Sequence, residues 1–162
     1  MFGRTTHQLD PKGRVFIPKR LQGQLPADGD GVRSGILIRG MDNSLALLSQ
    51  EAFDAEVAKL DTSVFAEEDG LLFQRLFFAY AFPVSLDKNG RLQIPKELRE
   101  VAELESEPEV SLIGLRDRIE IWASSRWTES VDAKKDAYDR LAKLAARRAH
   151  QAAIGGENGG GQ

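Results

Sequence analysis

Residues 9–21 read LDPKGRVFIPKRL, and residues 86–98 read LDKNGRLQIPKEL. At an offset of 77 positions, eight of the thirteen residues are identical: Leu, Asp, Gly, Arg, Ile, Pro, Lys and Leu. A second pair of segments extends the match. Residues 36–53, ILIRGMDNSLALLSQEAF, align at offset 74 with residues 110–127, VSLIGLRDRIEIWASSRW. Gly40 then meets Gly114, Leu45 meets Ile119, Leu47 meets Ile121 and Phe53 meets Trp127. The chain is an internal duplication, and its architecture follows from one copy read twice.

Each copy begins with a short strand, about Thr6–Leu9 and Val84–Leu86, that runs into Asp-x-x-Gly. Aspartate suits the first position of a β-turn because its side chain accepts backbone N–H groups ahead of it, and glycine tolerates positive φ three residues later. Asp10-Pro11-Lys12-Gly13 and Asp87-Lys88-Asn89-Gly90 therefore read as hairpin tips. The chain returns as a strand, Arg14–Ile17 or Arg91–Ile94, until Pro18 or Pro95 ends it and begins a helix. The helix from Pro95 to about Glu105 places Leu98, Val101, Ala102 and Leu104 on one face. A second hairpin follows in each copy, Ile36–Arg39 with Leu45–Leu48 and Val110–Ile113 with Ile119–Trp122. Helices then start near Ser49 and near Ser124 or Ser125, which are suitable N-caps.

Between the copies, Glu67 to Tyr80 has an acidic start and an apolar body, and reads as helix despite Gly70. Five of the eight phenylalanines (Phe65, Phe73, Phe77, Phe78 and Phe82) fall in residues 65–82, more than one amphipathic face hides. Burial between the halves or between subunits is expected. A last helix, about Arg126–Ala152, spaces Trp127, Val131, Tyr138, Leu141 and Ala145 along one side. The expected organisation is a first repeat over 1–60, a linking apolar helix over 61–81 and a second repeat over 82–127. A C-terminal helix over 128–152 and a flexible tail over 153–162 complete it.

Composition narrows the function. The 162 residues are 41 % hydrophobic and 29 % charged, and no apolar run approaches the ~20 residues of a membrane span. The start, Met1-Phe2-Gly3-Arg4-Thr5-Thr6, lacks the pattern of a secretory signal, so a cytoplasmic location is expected. There are no cysteines and only two histidines, His7 and His150, which read as ordinary surface or partly buried groups. No cofactor or metal is expected. The net charge of −3 hides a pattern. Residues 1–21 hold Arg4, Lys12, Arg14, Lys19 and Arg20 against Asp10 alone, and residues 82–99 hold Lys88, Arg91, Lys96 and Arg99 against Asp87 and Glu97. Two basic islands stand in an acidic body, and phosphates respond to such a local field.

The paired Asp-x-x-Gly-Arg tips, with Gln74-Arg75-Leu76 between them and Ile119-Glu120-Ile121-Trp122 closing the second hairpin, make the chain similar to the MraZ family. The likeness runs from Met1-Phe2 and thins after about residue 150. That family belongs with the AbrB and SpoVT swapped-hairpin class of DNA-binding proteins. The resemblance implies an α+β fold: a duplicated swapped-hairpin, AbrB-like β-barrel unit with flanking helices and a C-terminal helix. It also implies a cytoplasmic, nucleoid-associated transcriptional regulator of the division and cell-wall gene cluster. Its partners would be double-stranded DNA carrying short G-rich direct repeats and its own copies, in a ring-shaped, octamer-like homo-oligomer. No membrane or small-molecule partner is implied.

The residues support a DNA reading on their own chemistry. An arginine just after a rigid turn can present its guanidinium to O6 and N7 of guanine, worth about 1–3 kcal/mol of discrimination. Arg14 and Arg91 are the candidate base readers, and Lys12 and Lys88 the candidate phosphate contacts. Asp10 and Asp87 brace the turns and orient the arginines, while Gly13 and Gly90 supply the backbone geometry. Lys19, Arg20, Lys96 and Arg99 are equally well read as solvated helix faces, and Arg4 as a strand cap. Three other readings stand beside this one: an AbrB-type antitoxin, an oligomeric interaction protein without sequence-specific DNA reading, and an enzyme using Asp10 and Asp87 as a carboxylate pair. The duplication argues against the first. No catalytic triad order, zinc spacing, P-loop or dinucleotide fingerprint supports the last.

Overall fold

The strands on either side of each tip do not pair with each other; each pairs with the other copy. The computed structural model describes residues 2–60 and 68–157. Strand β1 (Gly3–Gln8) leads into the first tip and β2 (Arg14–Phe16) leaves it. Strands β5 (Ala81–Ser85) and β6 (Arg91–Gln93) flank the second tip in the same way. The second hairpins are β3 (Ser34–Arg39) with β4 (Leu45–Leu48), and β7 (Glu109–Gly114) with β8 (Arg118–Ala123). β1 pairs with β7 from Gly3↔Gly114 to Gln8↔Glu109, and β5 pairs with β3 from Ser34↔Ser85 to Ile38↔Ala81. One antiparallel sheet results, ordered β1-β7-β8-β4-β3-β5, with a separate two-stranded ribbon of β2 and β6. This is the duplicated swapped-hairpin α+β fold, with both hairpin sets supplied by one chain.

The core lies between ribbon and sheet. Val15 and Ile17 from the first copy and Leu92 and Ile94 from the second are fully buried against Leu37, Leu45, Leu47, Leu112, Ile119 and Ile121 of the sheet. Short helices α1 (Lys19–Gln22) and α4 (Lys96–Val101) follow the two prolines and add Leu21 and Leu98. Pro18 and Pro95 occupy the cap position rather than the first helical turn. The helix expected to reach Glu105 stops sooner, because Glu103 takes φ 59° and the Leu104 N–H returns to the Arg99 carbonyl at 2.9 Å. That is a left-handed helix terminus with a non-glycine residue.

The opposite face of the sheet holds a smaller core of Ile36, Ile38, Ala46 and Leu48. Helix α2 (Gln50–Ala58), capped by Ser49 accepting the Ala52 N–H, and helix α3 (Glu68–Ala79) cover it with Phe53 and Phe77, whose rings stack at 6.0 Å. The other large apolar side chains of α3 are uncovered: Leu71, Leu72, Phe73, Leu76 and Phe78 are exposed. Phe65 lies outside the described residues.

The chain divides into two compact units, Met1–Trp127 and Thr128–Gln162. The single helix expected over Arg126–Ala152 is three pieces: α5 (Ser124–Ser130), a 3₁₀-helix (Asp132–Ala137) and α6 (Tyr138–Glu157). Val131 takes φ −121° and breaks the run, flanked by Ser130 and Asp132, whose side chains compete for backbone groups. The C-terminal helix α6 continues through Gly155 and Gly156, past the boundary expected at residue 152, and residues 158–162 lie outside the described set.

Candidate nucleic-acid interface

Each tip is built from the aspartate outward. Asp10 Oδ1 accepts the backbone N–H groups of Lys12 and Arg14, both at 2.9 Å, and its Oδ2 accepts Arg14 Nε–H at 2.7 Å. Asp87 repeats the pattern with Asn89 and Arg91, at 2.9 Å for all three bonds. The Gly13 and Gly90 N–H groups close the turns onto the Asp10 and Asp87 carbonyls at 2.9 Å. Both glycines are left-handed, with φ +76° and +75°. Arg14 N–H donation, with help from Lys12 N–H and the Arg14 guanidinium, holds the Asp10 carboxyl below the usual aspartate range. Arg91 and Asn89 do the same for Asp87.

The tips are cross-braced between copies. Ile17 N–H donates to the Gly90 carbonyl at 2.9 Å, and Ile94 N–H to the Gly13 carbonyl at 3.0 Å. Arg99 lies over Gly13 and donates to the Ile94 carbonyl, with its Nε on Glu105 at 2.9 Å. Gln22, its equivalent at offset 77, lies over Gly90 and donates to the Ile17 carbonyl at 2.7 Å. Gln93 donates from Nε2 to the Lys12 carbonyl at 2.7 Å. Arg99, read from sequence as an even choice between solvent and DNA, is part of this bracing. Gln22 and Gln93 escaped the sequence reading altogether. Extending the repeat alignment by one residue pairs Gln22 with Arg99, and that is the signal that marks Gln22.

The ribbon brings the two arginines together. Val15 pairs with Leu92, and both point into the core. Arg14 lies opposite Gln93 and Phe16 opposite Arg91. Because alternate strand residues share a face, Arg14, Phe16, Arg91 and Gln93 all stand on the ribbon's outer side. The arginines are diagonal neighbours, about 7–8 Å apart on general strand geometry. They are tethered rather than extended: their side chains are 25 % and 33 % exposed, each held by its aspartate through Nε. Lys12 and Lys88 are exposed at opposite ends of the ribbon, one per tip.

Other candidates fall elsewhere. Arg4 donates to Ser111 Oγ at 3.2 Å and stands 5.4 Å over the Trp127 ring, a packing role on β1. Lys96 is exposed and 3.7 Å from Glu100, and Arg20 reaches the Phe2 carbonyl. His7 bonds Thr5 Oγ1 at 3.0 Å, and burial, with the Arg20 charge adding to it, holds the imidazole below its ordinary pKa. Among the described residues no cluster of three or more His, Cys, Asp or Glu is arranged to hold a metal. No helix among them is long and apolar enough to cross a membrane.

Fold and tips together define a class: duplicated swapped-hairpin proteins that carry two Asp-braced arginines on one ribbon. A family model described as "MraZ protein, putative antitoxin-like" matches residues 1–76 and again 77–149, one match per copy. The chain belongs to the MraZ family. Curated relatives named transcriptional regulator MraZ include those of Halothermothrix orenii, 35 % identical over 86 % of this chain and 92 % of the relative. That of Acetivibrio thermocellus is 40 % identical over 78 % of this chain and 82 % of its own. That of Thermoanaerobacter pseudethanolicus is 36 % identical over 88 % and 94 %.

Proposed function

We propose that the chain is a sequence-specific, DNA-binding transcriptional regulator, acting in the cytoplasm on nucleoid DNA without a cofactor. The names of its relatives support the regulatory role. The single observation that carries the DNA reading is the pair of tethered arginines on the outer face of one exposed ribbon. The major groove admits a two-stranded ribbon, and an arginine is the strongest reader of guanine there. A separation of about 7–8 Å corresponds to roughly two base steps of 3.4 Å, so both arginines fit one short guanine run. Lys12 and Lys88 flank them as phosphate contacts.

One subunit offers few contacts, and the reading therefore includes a ring of copies engaging direct repeats in the promoter of the division and cell-wall gene cluster. Linked engagement raises avidity about 10²–10⁴-fold. The exposed apolar side chains of α3, Leu71, Leu72, Phe73, Leu76 and Phe78, form the surface that assembly would cover. The test is binding of the full chain to a duplex of tandem G-rich repeats and to a scrambled duplex at about 0.05–0.2 M salt. Wild type favours the repeats, and Arg14→Ala/Arg91→Ala retains its fold but loses the preference. Equal binding to both duplexes by wild type overturns the reading.

A further inference from the structure

Phe16 is out of place for a packing residue. It is 42 % exposed on a face whose other outward side chains are Arg14, Arg91 and Gln93. Its ring is propped from below: a Cβ added at Gly90 would stand 3.3 Å from its Cε2, and the His7 ring lies 5.9 Å away. The ring also lines an open cleft with Lys19, Gln22, Val32 and the second tip from Asp87 to Gly90, and in the ribbon register Phe16 lies opposite Arg91. The fold does not demand an aromatic residue here. The equivalent position in the second copy is Gln93, and the tip it braces keeps the same aspartate–arginine geometry.

We propose that Phe16 is a specificity-determining residue that packs on the C5-methyl of a thymine next to the guanine contacted by Arg91. The inference rests on the DNA reading above and adds the base recognised beside Arg91. The thymine methyl is the apolar group exposed in the major groove, and phenylalanine is among the side chains that contact it. Directly opposed side chains stand about 4.5–5.5 Å apart at Cβ, against a base step of 3.4 Å. A ring beside Arg91 therefore falls on the neighbouring base pair. Gln93, beside Arg14, spends its amide on the Lys12 carbonyl and offers no apolar face. The two ends of the ribbon thus differ in what they recognise.

The test uses the full chain and three duplexes: tandem guanine runs with thymine on both sides, the same duplex with each flanking thymine replaced by deoxyuridine, and a scrambled duplex. Deoxyuridine removes only the methyl. Wild type should bind the deoxyuridine duplex about three- to five-fold more weakly per site, the scale for burying one methyl group. Phe16→Gln, which copies the equivalent position, should bind both forms equally and still prefer guanine runs over the scramble. Phe16→Leu should keep part of the methyl response. A role confined to packing on Gly90 predicts no methyl response in wild type. Wild type that prefers guanine runs but ignores the methyl overturns the assignment of Phe16 and leaves the arginine reading intact. Wild type that binds the scramble equally well overturns both. Should Phe16→Gln fail to fold, the wild-type methyl comparison alone decides.

Discussion

Asp10 and Asp87 each use one carboxylate oxygen to close a turn and the other to hold an arginine, so the charged form of each is built into the tip. Their pKa values lie below those of the unfolded chain, so their contribution is complete above the unfolded value near 4 and is lost as pH falls through the folded one. Urea unfolding from pH 6 to pH 3 should show an acid decline that is shallower in Asp10→Asn/Asp87→Asn. Gly13→Ala and Gly90→Ala should each cost about 1–3 kcal/mol in denaturant unfolding, because a left-handed residue then carries a Cβ. At Gly13 that atom also meets the Arg99 guanidinium. The turns were legible because all their bonds lie within four residues, where turn chemistry is written directly in the chain. The braces from Gln93 to Lys12 and from Arg99 over Gly13 span some 80 positions, and periodicity carries no record of them.

Among the elements, β1–β7 and β5–β3 make the halves mutually dependent. Residues 1–76 and 77–162, expressed separately, should each fail to form a folded monomer, and mixing them should restore the far-UV circular dichroism of the intact chain. Cooperative unfolding of either half as a monomer would contradict the exchange. The repeat and the flanking turns located most strands to within a few residues. The pairing was not legible in the same way, because a strand shows the same period-two pattern whether it joins its own hairpin or another copy's. Only the family resemblance supplied the swap. The C-terminal region misled for a different reason: an apolar stripe continued through Val131, but the backbone at that residue leaves the helix. The stripe assigned to one helix is divided between α5 and α6.

For the whole molecule, the five exposed apolar side chains of α3 and the tips make separable predictions. Phe73→Asp/Leu76→Asp should shift sedimentation to smaller species and weaken binding to tandem repeats by about 10²–10⁴-fold, while leaving single-site contacts unchanged. Lys12→Ala and Lys88→Ala should weaken binding to all sequences alike, and each should lower the slope of log K against log salt by about one. The repeat was legible in sequence; the inequality of its two ends, Gln93 beside Arg14 and Phe16 beside Arg91, required the register. That inequality has a further consequence. When two identical chains build such a ribbon, every change in the gene alters both ends, and the product reads the same from either direction. Here the two ends are encoded by different codons, so each can be altered alone, and on the proposed DNA reading a molecule seated on a duplex would have a defined heading along it.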